Sequence, residues 1–215
     1  EYKRPARRVP VWGVVALRFL MALGGVIRGR PAQREFAMSS ETPTRAVVRL
    51  RPKAEARAIR HGFPWVYADE LVMDRRTQAL TPGALAVLED AERKPMGLVT
   101  VNPNSKIIGR MMDRDVEARI DLDWLKTRLS QALALRERCY DAPFYRLAHA
   151  EADGLPGVII DRFGDAAVIQ PNAAWAEAHL DLMVEALVAV TGVTTVIKNG
   201  SGRSRSFEGL PDETL

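Results

Sequence analysis

The chain has 215 residues, 47% hydrophobic and 27% charged, with a formal net charge of +4. That balance suits a soluble globular protein able to bury a core, as one large domain or two small ones. Its single cysteine, Cys139, excludes an internal disulfide and a cysteine-based zinc site, and fits a reducing cytoplasm. The charge is uneven. Residues 1–60 carry fourteen Lys/Arg against four Asp/Glu, and the remainder seventeen against twenty-three. Such asymmetry points the N-terminal part toward a polyanion, with plain solvated charge as the alternative.

The first residues read as a leader, 1–43, without a starting Met. Val11–Ile27 is mostly apolar but is broken by Arg18, and it is shorter than the roughly 20 residues of a membrane span. "MSSETPTRAVVRLRP" from Met38 reads as a natural start, so residues 1–37 are expected to be upstream translation or dispensable. A membrane anchor is the weaker alternative, and no membrane association is expected.

From Arg45 short strands alternate with turns. "RAVVRL" (Arg45–Leu50) predicts a strand, and "PKAEARAIRHG" (Pro52–Gly62) a short helix with Pro in its first turn and Gly at its end. "PWVYADEL" starts as a strand. "GALAVLED" and "PMGLVTVN" predict a hairpin around "AERK", and "SKIIGRMMDRD" another strand. Residues 44–118 therefore read as a small β-barrel-like module.

The pattern then changes. "DLDWLKTRLSQALALRERCYD" (Asp121–Asp141) predicts an amphipathic helix capped by Asp121. Cys139, near its end, is expected in the core. "FYRLAHAE", "DAAVIQPN" and "TTVIKN" predict strands, and Ala173–Gly192 a second amphipathic helix. Residues 119–200 read as an α+β layer with helices packed on one sheet. The polar, Gly/Ser-rich tail, 201–215, reads as a linker or frayed end.

The stretch "EADGLPGVIIDRFGD" (Glu151–Asp165) is rich in carboxylates and glycines. Gly154 and Gly157 have a G-x-x-G spacing, but a strand follows rather than a helix, which disfavours a phosphate or dinucleotide loop. Its carboxylates lie on either side of that strand and are not expected to converge on a metal. Two tight turns around a buried strand is the preferred reading. His61, His149 and His179 show no metal-ligand spacing, and no serine sits in a G-x-S-x-G frame.

A basic and aromatic set is more informative. Arg49, Arg51, Lys53, Arg57 and Arg60 precede His61, Trp65 and Tyr67, and Lys106, Arg110 and Arg114 add charge from another strand. Cations neutralise phosphates and planar rings stack on unpaired bases, so this mixture suits RNA. The candidate contacts are Arg57, Arg60, His61, Lys106 and Arg110, with Trp65 either stacking or packing.

Three segments together resemble one family. "HGFPWVYADEL" (His61–Leu71) is similar to the His-Pro-Trp-Val-aromatic signature of the large-subunit rRNA cytosine-5 methyltransferases, with Phe63 inserted before the Pro-Trp pair. "YRLAHAEADGLPGVIIDRFGD" (Tyr145–Asp165) resembles the family's central segment, and "RSRSFEGLP" (Arg203–Pro211) an element that precedes its catalytic domain. The resemblance implies an α+β protein: a PUA-like RNA-binding β-barrel (44–118), a central α+β domain (119–200) and a linker (201–215) to a Rossmann-like methyltransferase domain. It implies S-adenosylmethionine-dependent methylation of a 23S rRNA cytosine at C5, in which a cysteine thiolate attacks C6. The family's Gly-rich loop, Asp-Pro-Pro element and catalytic cysteine motif have no counterpart in these residues, and Cys139 does not take that role. The expectation is an rRNA-binding portion without a catalytic, cofactor or metal site of its own. A stand-alone RNA-binding or interaction module is the rival, and a homodimer stays open.

Overall fold

The computed structural model describes residues 45–214; the expectations for the leader lie outside the described residues. These residues form one compact unit. It is built around two five-stranded sheets.

The first sheet contains β1 (Ala46–Arg49), β2 (Trp65–Tyr67), β3 (Ala84–Glu89), β4 (Pro95–Val101) and β5 (Ile107–Asp113), in the order β1-β3-β4-β5-β2. β1 pairs with β3 in parallel, and the remaining pairings are antiparallel. The continuations of the two edge strands meet, with Leu50 opposite Leu71. The Arg51 N–H donates to the Glu70 carbonyl and the Val72 N–H to that of Arg49, both at 2.8 Å. The sheet thus closes on itself and leaves little unpaired edge. Val48, Val66, Leu88, Val99, Val101 and Ile108 fill its interior.

α1 (Ala56–Arg60) and α2 (Arg75–Gln78) link these strands. α1 is shorter than the sequence predicts, because Pro52 and Lys53 form a turn instead of its first turn. α2 has no apolar period long enough to be read from sequence. Its signal is the Asp74 cap, whose carboxylate accepts from the Thr77 N–H at 2.8 Å.

The second sheet runs β6 (Phe144–His149), β7 (Val158–Phe163), β8 (Ala166–Pro171), β9 (Thr195–Gly200) and β10 (Glu213–Thr214). β8 and β9 are parallel and the other pairs antiparallel. α3 (Leu122–Glu137) starts at the predicted cap, where Asp121 accepts from the Trp124 N–H at 3.1 Å. Its Leu125, Leu129 and Ala132 join Leu147, Ile160, Ile169 and Leu187 in one core. The single helix predicted over Ala173–Gly192 is two, α4 (Ala174–Ala178) and α5 (Leu180–Thr191). His179 leaves helical geometry between them, and its Nδ1–H donates to the Trp175 carbonyl at 2.8 Å. Cys139 is exposed, contrary to expectation, because α3 ends before it.

The two sheets are tightly joined. Leu98 and Met112 of the first sheet belong to the core of the second. The Trp124 indole N–H and the Arg128 guanidinium, both on α3, donate to Asp113 of β5 at 2.8 and 2.9 Å. Burial pushes the Asp113 carboxyl up, but these donors and its backbone contact outweigh it and hold the group below its ordinary range. Gly83, before β3, lies so close to α4 that a Cβ would stand 2.8 Å from the Trp175 backbone nitrogen.

The tail is not frayed: it packs against the second sheet. α6 (Arg203–Phe207) buries Arg205 completely. The Arg205 guanidinium donates to the carbonyls of Pro171 and Pro211 and, at 2.7 Å, to Glu177. The Lys198 ammonium donates to Glu177 and Glu213 at 2.6 and 2.5 Å. Composition marked this tail as polar; Pro171 and Glu177 lie 34 and 28 positions from Arg205 and give no local signal.

Arg205→Met should remove about 3–5 kcal/mol of unfolding free energy in urea, whereas Arg203→Met at an exposed site should change it by less than about 0.5 kcal/mol. Equal, small effects would mean that the tail is not part of the fold. The same cluster sets a pH window. Burial raises the Glu177 carboxyl, but its bonds to Lys198 and Arg205 win and lower it below 4.5. Burial lowers the Lys198 ammonium, but Glu177 and Glu213 win and raise it above 10.5. The stability that Glu177 contributes is therefore present above 4.5 and lost as pH falls further, and that of Lys198 is present below 10.5 and lost as pH rises further. Glu177→Gln should flatten the acid limb of a stability–pH curve, measured by urea titration at successive pH values.

Candidate nucleic-acid interface

The site starts with strand periodicity. Side chains alternate along a strand, so Val66 points into the barrel core while Trp65 and Tyr67 point the other way. Phe63, just before the strand, continues the aromatic row. Its ring lies 6.0 Å from Trp65, and Trp65 lies 6.5 Å from Tyr67, both edge-to-face. Trp65 and Tyr67 form one wall of a cleft of about 750 Å³ between the two sheets and α6. Lys106 and Arg110 belong to the same wall region, Glu151 and Asn172 come from the second sheet side, and Phe207 and Glu208 from α6.

Arg110 holds the cleft together. Its guanidinium donates to Glu151 at 2.9 Å and to Glu208 at 3.0 Å. The Trp65 indole N–H donates to the same Glu151 oxygen at 2.8 Å. Glu208 is buried, and it also accepts from the Asn102 amide at 2.8 Å and the Ser105 hydroxyl at 3.2 Å. Arg110 Nε is buried without a partner among the described residues. Ala150, at the start of the short 3₁₀ turn that presents Glu151, has φ of 49°, a left-handed value that alanine rarely adopts.

Of the six residues expected from sequence to meet RNA, Trp65, Lys106 and Arg110 come together in this cleft. Arg57, Arg60 and His61 lie on α1 and its C-terminal cap, exposed and outside the cleft lining. Arg60 is engaged by the buried Asp90. Arg110 spends its charge on two carboxylates, and Trp65 is half-buried and anchored rather than free. Sequence reasoning missed Phe207, Asn172 and Glu208. The signal for Phe207 and Glu208 was the "RSRSFEGLP" segment, whose composition suggested a linker, and Asn172 gave none.

The stretch Glu151–Asp165 folds as two turns around a strand. Its carboxylates disperse: Glu151 goes to Arg110, Asp153 to Arg136 at 2.7 and 2.6 Å, and Asp161 to Arg146 at 2.8 and 3.1 Å. Among the described residues no cluster of His, Cys, Asp or Glu could hold a metal. Nor do the glycines form a cofactor cradle. β7 follows Gly157 directly, a Cβ there would meet the Ala173 Cβ at 2.6 Å, and one on Gly154 would meet the Arg128 guanidinium at 3.3 Å. With a strand rather than a helix after them, they lack the helix N-terminus on which a phosphate or dinucleotide loop relies. Among the described residues no helix is long and apolar enough to cross a membrane.

Residues 48–114 match the family of PUA-like domains. The chain is 33% identical over 165 residues to a ribosomal RNA large subunit methyltransferase I of Aliivibrio fischeri, covering 75% of this chain and 41% of that protein. It is 32% identical over 161 residues to a ribosomal RNA large subunit methyltransferase of Deinococcus radiodurans, covering 71% and 39%. The chain thus spans about two fifths of the length of these relatives. A solved structure from Streptococcus mutans, described as a SAM-dependent methyltransferase, shares the fold at a TM-score of 0.61 and 14% identity, over 72% of this chain and 40% of that one. Another, a methyltransferase complexed with SAH, has a TM-score of 0.60 at 14% identity, over 72% and 39%. The chain carries a PUA-like domain, and about three quarters of it is related to part of the ribosomal RNA large subunit methyltransferases.

Proposed function

We propose that this chain is the RNA-docking portion of an S-adenosylmethionine-dependent 23S rRNA methyltransferase acting at C5 of a cytosine. The observation that carries the reading is the aromatic and basic cleft on the PUA-like domain, with Trp65, Tyr67 and Lys106 in one wall. Rings stack on bases, and cations attract phosphates. Arg57, Lys106 and His61 are exposed on the same domain and form no ion pair among the described residues, so they are available to an RNA backbone. The relatives' names supply rRNA as the substrate class and methyl transfer as the reaction. On this reading the described residues supply docking and orientation of the RNA. Action on rRNA is cytoplasmic work.

Arg57→Ala with Lys106→Ala should leave folding intact. It should lower the slope of log K against log salt for structured 23S rRNA fragments by about 2. An unchanged slope, measured by filter binding, would remove these two contacts. The 215 residues alone should transfer no radiolabelled methyl group to unmodified rRNA. Transfer would contradict the assignment of this chain to docking.

A further inference from the structure

We propose that the cleft between β2, β5 and α6 receives a single unpaired RNA base, read by ring stacking and by the amides of Asn104 and Asn172. This rests on the RNA-docking reading and deepens it. The cleft volume of about 750 Å³ falls within the range of small-ligand sites. Its rings are left open to solvent: Tyr67 is 38% exposed and Phe207 is 61% exposed. Exposed aromatic faces at a concave surface are what stacked bases use.

Charge decides which part of a nucleotide enters. Arg110 is neutralised by Glu151 and Glu208, and Lys106 is the remaining cation of the lining. The two carboxylates repel a phosphate from the interior, so the neutral base goes in and the backbone stays at the mouth. Lys106 and Arg203, whose guanidinium lies 5.4 Å from the centre of the Phe207 ring, serve the flanking phosphates. The side-chain amides of Asn104 and Asn172 make no hydrogen bond among the described residues. Each offers one donor group and one acceptor, the pairing a base edge requires. Trp65 and Arg110 are already fixed by Glu151, so the wall is ordered before a ligand arrives.

Three RNA hairpins test this: one with a single-nucleotide bulge, the same hairpin with an abasic bulge, and a fully paired one. The wild-type chain should bind the first about tenfold tighter than the other two, as loss of one stacked base predicts. Tyr67→Ala and Phe207→Ala, at exposed positions, should each erase that preference, so that the bulged hairpin binds no tighter than the abasic and paired ones. Urea unfolding confirms that both variants fold. Equal binding of all three hairpins by the wild type would overturn the base site and leave RNA docking standing. Binding of none would overturn RNA docking itself. A preference that survives both substitutions would place the base elsewhere.

Discussion

A carboxylate removed from water must be matched by donors and a cation, and Glu208 is such a group. It is 5% exposed and takes its partners, Arg110, Asn102 and Ser105, from the first sheet and the loop after β4. Three residues earlier Arg205, fully buried, takes its partners from the second sheet and α4. One short helix is thereby anchored from both sides. A five-residue helix could not hold its place by propensity alone. The ring of Phe207, between these two anchors, is left exposed at the cleft.

The same logic explains why a carboxylate-rich stretch is not an acid–base site. Each of Glu151, Asp153 and Asp161 has its own arginine, from β5, α3 and β6 respectively. Such pairs keep the carboxylates apart, the opposite of the closely paired arrangement that general acid–base work needs. Glu151 instead orients the Trp65 indole and the Arg110 guanidinium. Its role is to fix a surface.

Local patterns were legible. Strand alternation located β1 to β9 to within a few residues, Asp121 marked the start of α3, and Gly192, at φ of 70°, marked the end of α5. The turn glycines of the Glu151–Asp165 stretch were legible too. What escaped depends on distance in sequence. Arg205 finds Glu177 and Arg110 finds Glu208 across 28 and 98 positions, and composition says nothing about either. Cys139 illustrates a boundary error: a helix ending at Glu137 leaves it outside the core. Arg57, Lys106 and Arg110 looked equivalent as cations, yet only geometry shows that Arg110 is committed internally.

The proposed base-stacking cleft lies on a PUA-like domain joined to a second sheet, an arrangement suited to holding a defined RNA element while chemistry proceeds elsewhere on it. The most direct test is photochemical crosslinking of the folded chain to large-subunit rRNA, with the attached peptides mapped by mass spectrometry. The account predicts crosslinks at Trp65–Tyr67 and at Phe207. Crosslinks confined to the far edge of the second sheet, around Phe144 and Phe163, would contradict it.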